Sequence, residues 1–140
     1  MLPLPKGQIA QVACGSYHSF AIDINGVVYA WGLNNFGQTG IPDGVGDDGN
    51  IVTVPTRVKS LNPFEIKQIK GGNHHSIACT NDGNALVWGR CDDGQAGVPL
   101  DSLPQHDLVF DERKNPRILL KPTVVPGKSF CSSADLIALS

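Results

Sequence analysis

Apolar residues fall along this chain in short runs, each cut off by glycine, asparagine or aspartate. Ile9–Cys14 is a β-prone run that ends at Gly15, and His18–Asp23 and residues 27–31 are rich in apolar and aromatic side chains. Asn25-Gly26 joins the latter two and predicts a hairpin with a type I′ turn, in which both central residues need positive φ. Asp82-Gly83 stands at the corresponding place later in the chain. Residues 55–58 predict a short edge strand, where the missing N–H of Pro55 is tolerated. Nowhere do apolar residues keep the 3.6-residue spacing of an amphipathic helix, so the pattern predicts strands and tight turns throughout.

The pattern occurs twice. Residues 9–42 and 66–99 align without gaps at an offset of 57, with 13 of 34 positions identical, against roughly 2 expected from ordinary composition. Gly15, His18, Ser19, Ala21 and Gly26 return as Gly72, His75, Ser76, Ala78 and Gly83. Trp31-Gly32 returns as Trp88-Gly89, and Gly37, Gln38 and Gly40 return as Gly94, Gln95 and Gly97. Pro55-Thr56 returns as Pro122-Thr123, displaced by a longer loop in the second unit. A third unit begins near Ser129: Cys131 matches Cys14, and Ala138 matches Ala21 and Ala78. Ser132 stands there in place of glycine and Asp135 in place of histidine. The implied organisation is one all-β domain, with units over residues 8–60 and 65–126 and a truncated unit over 127–140. Three or four strands per unit predict blades of a partial β-propeller rather than a helical solenoid. Trp31 and Trp88 are expected to be buried in blade packing. Residues 42–54 and 100–121, which the repeat does not constrain, are expected to be exposed, mobile loops.

Composition narrows the function classes. A chain of 140 residues with 41% hydrophobic content can build a core of its own, and 16 glycines and 10 prolines suit many turns. With 17% charged residues and a net charge of −2, no broad basic field draws the chain to nucleic acid or anionic lipid. No apolar run approaches the roughly 18 residues of a membrane helix. Met1-Leu2-Pro3-Leu4-Pro5-Lys6 has no signal-peptide core. Cys14, Cys79, Cys91 and Cys131 show no Cys-x-x-Cys spacing and read as reduced thiols of an intracellular protein. The acidic loop from Asp43 to Asn50 fails the calcium-loop spacing, because Val45 and Val54 fall at ligand positions 3 and 12. Cys79, Cys91, His74 and His75 lack the paired knuckles of a structural zinc site. No nucleophile–base pair, phosphate loop or dinucleotide fingerprint is present, so neither an enzyme nor a cofactor is expected.

The landmarks Gly15-Ser16-Tyr17-His18-Ser19, Asn25-Gly26, Trp31-Gly32 and Gly37-Gln38-Thr39-Gly40 resemble the regulator-of-chromosome-condensation repeat. Within that family, two further stretches are similar to the fifth and sixth blades of the fungal exchange factors for the small GTPase Ran. They are Cys14-Gly15-Ser16-Tyr17 leading to Tyr29-Ala30-Trp31-Gly32-Leu33-Asn34-Asn35-Phe36, and Gly71-Gly72-Asn73-His74-His75 leading to Trp88-Gly89-Arg90. The segment from Val98 to Pro104 resembles the long loop of the fungal versions. The resemblance implies part of a seven-bladed ring, with the exchange wedge on an earlier blade. It implies a Ran-type GTPase as partner, chromatin contact through parts not present here, and a nuclear location. The same repeat also serves as a generic interaction module.

Four residues are candidates for partner contact. His18 and His75 share one repeat position, where a scaffold role, hydrogen-bonding the backbone of a neighbouring blade, is the stronger reading. His74 precedes the repeat histidine and is not required by the repeat, and the resemblance implies that polar residues near it line the ring face that meets Ran. Tyr17 is its counterpart in the first unit, suited equally to an interface anchor or to packing. Gly15, Gly26, Trp31, Gly32, Gly37, Gln38, Gly40, Gly72, Gly83, Trp88, Gly89, Gly94, Gln95 and Gly97 are read as structural, and no metal ligand is expected.

Overall fold

The computed structural model describes residues 8–45, 49–92 and 103–125. Strands β1 (Ile9–Cys14), β2 (His18–Asp23), β3 (Val28–Leu33) and β4 (Ile51–Arg57) form an antiparallel sheet in that order. A second sheet holds β5 (Ile66–Gly71), β6 (His75–Thr80), β7 (Ala85–Arg90), β8 (Leu108–Phe110) and β9 (Pro116–Val124), ordered β5-β6-β7-β9-β8. Register repeats with sequence: Ser19 faces Trp31 in the first blade and Ser76 faces Trp88 in the second. Both blades then shift register around the tryptophan, between Ala30 and Gly32 and between Val87 and Gly89.

That shift explains the Trp-Gly pair. Gly32 and Gly89 have φ of +105° and +99°, and a Cβ there would stand 2.6 Å from the Tyr17 carbonyl oxygen and 2.8 Å from that of His74. Only glycine allows both the left-handed backbone and the close approach. The following amides, Leu33 and Arg90, donate to those same carbonyls at 2.8 and 3.0 Å. The chain entering β2 or β6 is thereby tied to the end of β3 or β7.

The hairpins lie where the sequence puts them, but the turn differs. Gly26 and Gly83 are left-handed while Asn25 and Asp82 are not, which rules out type I′. Instead the Gly26 N–H closes on the Asp23 carbonyl at 3.0 Å, and the Asp23 carboxylate accepts from the Asn25 and Val27 amides at 2.9 Å each. The aspartate side chain takes over the turn's donors, so one positive φ suffices.

Strand alternation sorts the side chains into layers. Phe20, Ile22, Val28 and Ala30 of the first blade face Ile69, Ala78, Leu86 and Trp88 of the second and form the junction core with Val58, Leu61 and Ile66. On the far side of the second blade, Ile77, Cys79, Ala85 and Val87 pack with Leu103, Leu108 and Leu119. Residues 100–121 are therefore not an open loop: this apolar set draws in β8 and the first half of β9, and residues 100–102 lie outside the described part. Trp31 also departs from expectation. Trp88 is 1% exposed against the first blade, whereas Trp31 is only half-buried, because no described strand covers its side of the sheet. Val12 on that side is 72% exposed, while its counterpart Ile69 is 5% exposed.

Candidate functional site

The blades meet along a line of glycines and histidines. A Cβ on Gly15 would stand 2.6 Å from the Gly72 carbonyl oxygen, and one on Gly71 would stand 2.6 Å from the Gly15 Cα. The Ser16 amide donates to the Gly72 carbonyl at 3.1 Å, and the Ser16 hydroxyl bonds the Asn73 side chain.

Behind this line, the Gln38 carbonyl accepts from the Trp88 indole N–H at 3.0 Å and from the Ser76 hydroxyl at 2.5 Å. The Gln38 side chain closes its own turn: its Oε1 accepts from the Phe36 amide at 2.9 Å, and its Nε2 donates to the Asn35 Oδ1 at 3.3 Å. The glutamine of the repeat thus shapes a turn whose backbone then holds the next blade. His18 Nε2 lies 2.8 Å from the Ser76 Oγ. The Ser76 proton is already committed to Gln38, so Nε2 carries the hydrogen and donates. His18 Nδ1 is left buried without a partner. Burial, and next the charge His75 would carry, lower the His18 pKa to about 4. His18 and His75 are 2% and 8% exposed, which places both inside the blade junction rather than at its surface. Gly94, Gln95 and Gly97 lie outside the described residues.

The other two candidates come together at the surface. The rings of Tyr17, 57% exposed, and His74 stack with centroids 5.5 Å apart and planes 16° from parallel. Phe36, from the turn after β3, meets His74 at 5.1 Å. Arg90 at the end of β7 and Arg117 in β9 set their guanidinium carbons 5.3 and 4.9 Å from the Phe36 ring centre. The Arg90 Nε donates to the Asp92 carboxylate at 2.6 Å. Burial, and next the Arg90 charge, lower the His74 pKa, which keeps the ring neutral at pH 7. The sequence indicated Tyr17 and His74 but not Phe36, Arg90 or Arg117. Arg90 follows the second Trp-Gly and was within reach of the repeat argument, whereas Arg117 lies where the repeat gives no register.

This surface offers aromatic faces and guanidinium donors for binding, with no nucleophile–base pair. Burial and Asp92 raise the Cys91 pKa to about 11, so its thiol stays protonated and unreactive. Among the described residues, no group of three or more His, Cys, Asp or Glu side chains is placed to hold a metal ion.

The description "Regulator of chromosome condensation (RCC1) repeat" matches residues 9–38 and 66–95 in one form and 25–79 in another. The chain belongs to the regulator of chromosome condensation repeat family. Protein pim1 of Schizosaccharomyces pombe is 46% identical over 125 residues, 89% of this chain and 23% of that protein. Guanine nucleotide exchange factor SRM1 of Saccharomyces cerevisiae is 37% identical over 106 residues, 74% of this chain and 22% of that protein. The crystal structure of Prp20p from Saccharomyces cerevisiae, described with its binding to Gsp1p and histones, superposes with a TM-score of 0.80 at 33% identity. It covers 89% of this chain and 28% of that one. Regulator-of-chromosome-condensation repeats here build a partial β-propeller, and the chain spans about a quarter of the length of these relatives.

Proposed function

We propose that this chain supplies blade scaffold and part of the docking surface of a nuclear guanine nucleotide exchange factor for a Ran-type small GTPase. The observation that carries the reading is the stack of exposed Tyr17 on half-buried His74, seated on buried Phe36 at the blade junction, in a chain 37% identical over 106 residues to a guanine nucleotide exchange factor. An exposed aromatic surface ringed by polar groups suits an interface anchor. Exchange makes and breaks no covalent bond: the factor binds the nucleotide-free GTPase better than the loaded one. By linkage, nucleotide return weakens the factor's hold by the same factor. The blade junction contributes affinity to that complex, and chromatin contact belongs to other parts of such a protein.

The test is binding of nucleotide-free and GTP-loaded Ran to the purified protein by calorimetry or pull-down. Preference for the nucleotide-free form is the expected outcome. Equal binding of the two forms, or none, would favour a generic interaction module on the same repeat.

A further inference from the structure

Arg117 makes no ion pair among the described residues. Its backbone is fixed by the Cys91 amide, which donates to the Arg117 carbonyl at 2.9 Å, and by the pairing of Arg90 with the adjacent Ile118. That register carries two guanidinium groups to one ring, Phe36. Asp92 answers the first cation; among the described residues no carboxylate answers the second. On its far side Arg117 shares a cleft with Asp111, Glu112 and Arg113. The Asp111 carboxylate is occupied there with the Arg113 and Asn115 amides, at 2.9 Å each.

We propose that Arg117, set over Phe36 beside Arg90, is the anchor for a carboxylate side chain of the protein that docks at the blade junction. The inference rests on the docking reading given above and names the chemistry it uses. A guanidinium packed over a ring makes that contact through its face and keeps the N–H donors of its edge. Those donors match the two oxygens of a carboxylate in a fork geometry that a lysine ammonium cannot reproduce. Two cations over one ring repel each other, and Asp92 relieves only half of that. Among the described residues, one of the two positive charges is left without an ion-pair partner. A nucleic-acid backbone is a poor occupant. It is gripped by strings of cations, whereas the chain as a whole carries a net charge of −2. His74, neutral at pH 7, adds aromatic surface and no charge.

The experiment measures the affinity of the purified protein for the nucleotide-free GTPase, with melting temperature and circular dichroism recorded for every variant. Arg117→Ala is expected to weaken binding about 13-fold or more, the loss of one charged hydrogen-bonded contact, and to flatten the salt dependence. Arg117→Lys should recover less than half of that loss in log Kd. Arg113→Ala, a neighbouring cation that does not touch Phe36, should bind as the parent does. In a panel of single Asp→Ala and Glu→Ala changes on the GTPase, one is expected to lose affinity in the parent background and nothing further with Arg117→Ala. A folded Arg117→Ala variant that binds as tightly as the parent overturns this assignment while leaving the docking reading intact. Full recovery by Arg117→Lys overturns the fork geometry, and loss of duplex DNA binding alone overturns the carboxylate. If the parent binds no GTPase in any state, the docking reading falls and this inference falls with it.

Discussion

His74 and His18 lie one residue apart in the repeat frame, and their surroundings give them opposite work. His74 stacks one ring face on exposed Tyr17 and meets buried Phe36 at a 45° tilt. In a ring that contains both blades, His74→Ala should slow nucleotide exchange on the GTPase roughly 2- to 13-fold, the worth of a single interfacial contact. The melting temperature should stay close to the parent's, and stopped-flow release of a fluorescent nucleotide reads the effect. His18 is buried and neutral in the fold. Its folded pKa of about 4 lies below the ordinary 6.5, so on acidification the unfolded chain takes up its proton first. Stability is intact above about pH 6.5, declines as pH falls toward 4, and loses nothing more from this group below that. The full span is worth roughly 3 kcal/mol. Urea titrations at pH 7.5, 5.5 and 4 should show this decline, and His18→Gln should have a shallower one. The repeat distinguishes the two positions in the sequence, because only the His18 position is demanded by it. The sequence did not reveal that Ser76 and Gln38 fix the His18 tautomer, since those three residues meet only across the junction.

The two hairpins show which parts of an element a sequence discloses. Their positions were legible from Asn25-Gly26 and Asp82-Gly83. The turn geometry was not, because it depends on a side chain reaching back: the Asp23 carboxylate accepts from the Asn25 and Val27 amides in the first hairpin, and the Thr80 hydroxyl from the Asn84 amide in the second. Glycines with similar φ carry unequal burdens. At Gly26, with φ +83°, an added methyl would meet nothing within 4 Å, whereas at Gly89 it would press on the His74 carbonyl. Gly26→Ala should therefore cost only the backbone term, about 1 kcal/mol. Gly89→Ala should cost at least roughly twice that, displace the Arg90 amide from its acceptor, and disturb the Tyr17–His74 stack. Chemical denaturation of the two variants side by side checks the ranking, and equal losses would contradict it. Strands β8 and β9 were the least legible elements. The offset of 57 breaks before them, and their strand state follows from Leu103, Leu108 and Leu119 covering the second blade's outer face.

For the whole molecule, the decisive asymmetry is between the covered face of the second blade and the open face of the first. Val12 and Trp31 lie on the open side, while their counterparts Ile69 and Trp88 are sealed in the junction. Burying one such side chain is worth about 1.5–3 kcal/mol, so the purified chain is expected to self-associate at micromolar concentration. Sedimentation velocity would show this, and Trp31→Lys should reduce association without lowering the melting temperature. The same chain is expected to fall short of a tenfold acceleration of nucleotide release from Ran. The family resemblance places the exchange wedge on an earlier blade, and these two blades supply only part of the docking surface. A tenfold acceleration at micromolar protein would refute that expectation. The two tryptophans made the repeat visible in the sequence, yet their unequal burial was not, since it depends on which neighbour each blade has. The Gln38 carbonyl adds a direction to all of this. At that carbonyl the first blade accepts and the second donates through Trp88 and Ser76, while Ser16 and His18 of the first blade donate to Gly72 and Ser76 of the second, so the contact reads differently from its two sides. A contact of that kind cannot be satisfied by a two-fold axis, which brings identical patches together. Copies joined in this manner would add head to tail, and would stop only when the accumulated rotation returned the last to the first. The same polarity that makes a closed ring possible makes an open string the hazard.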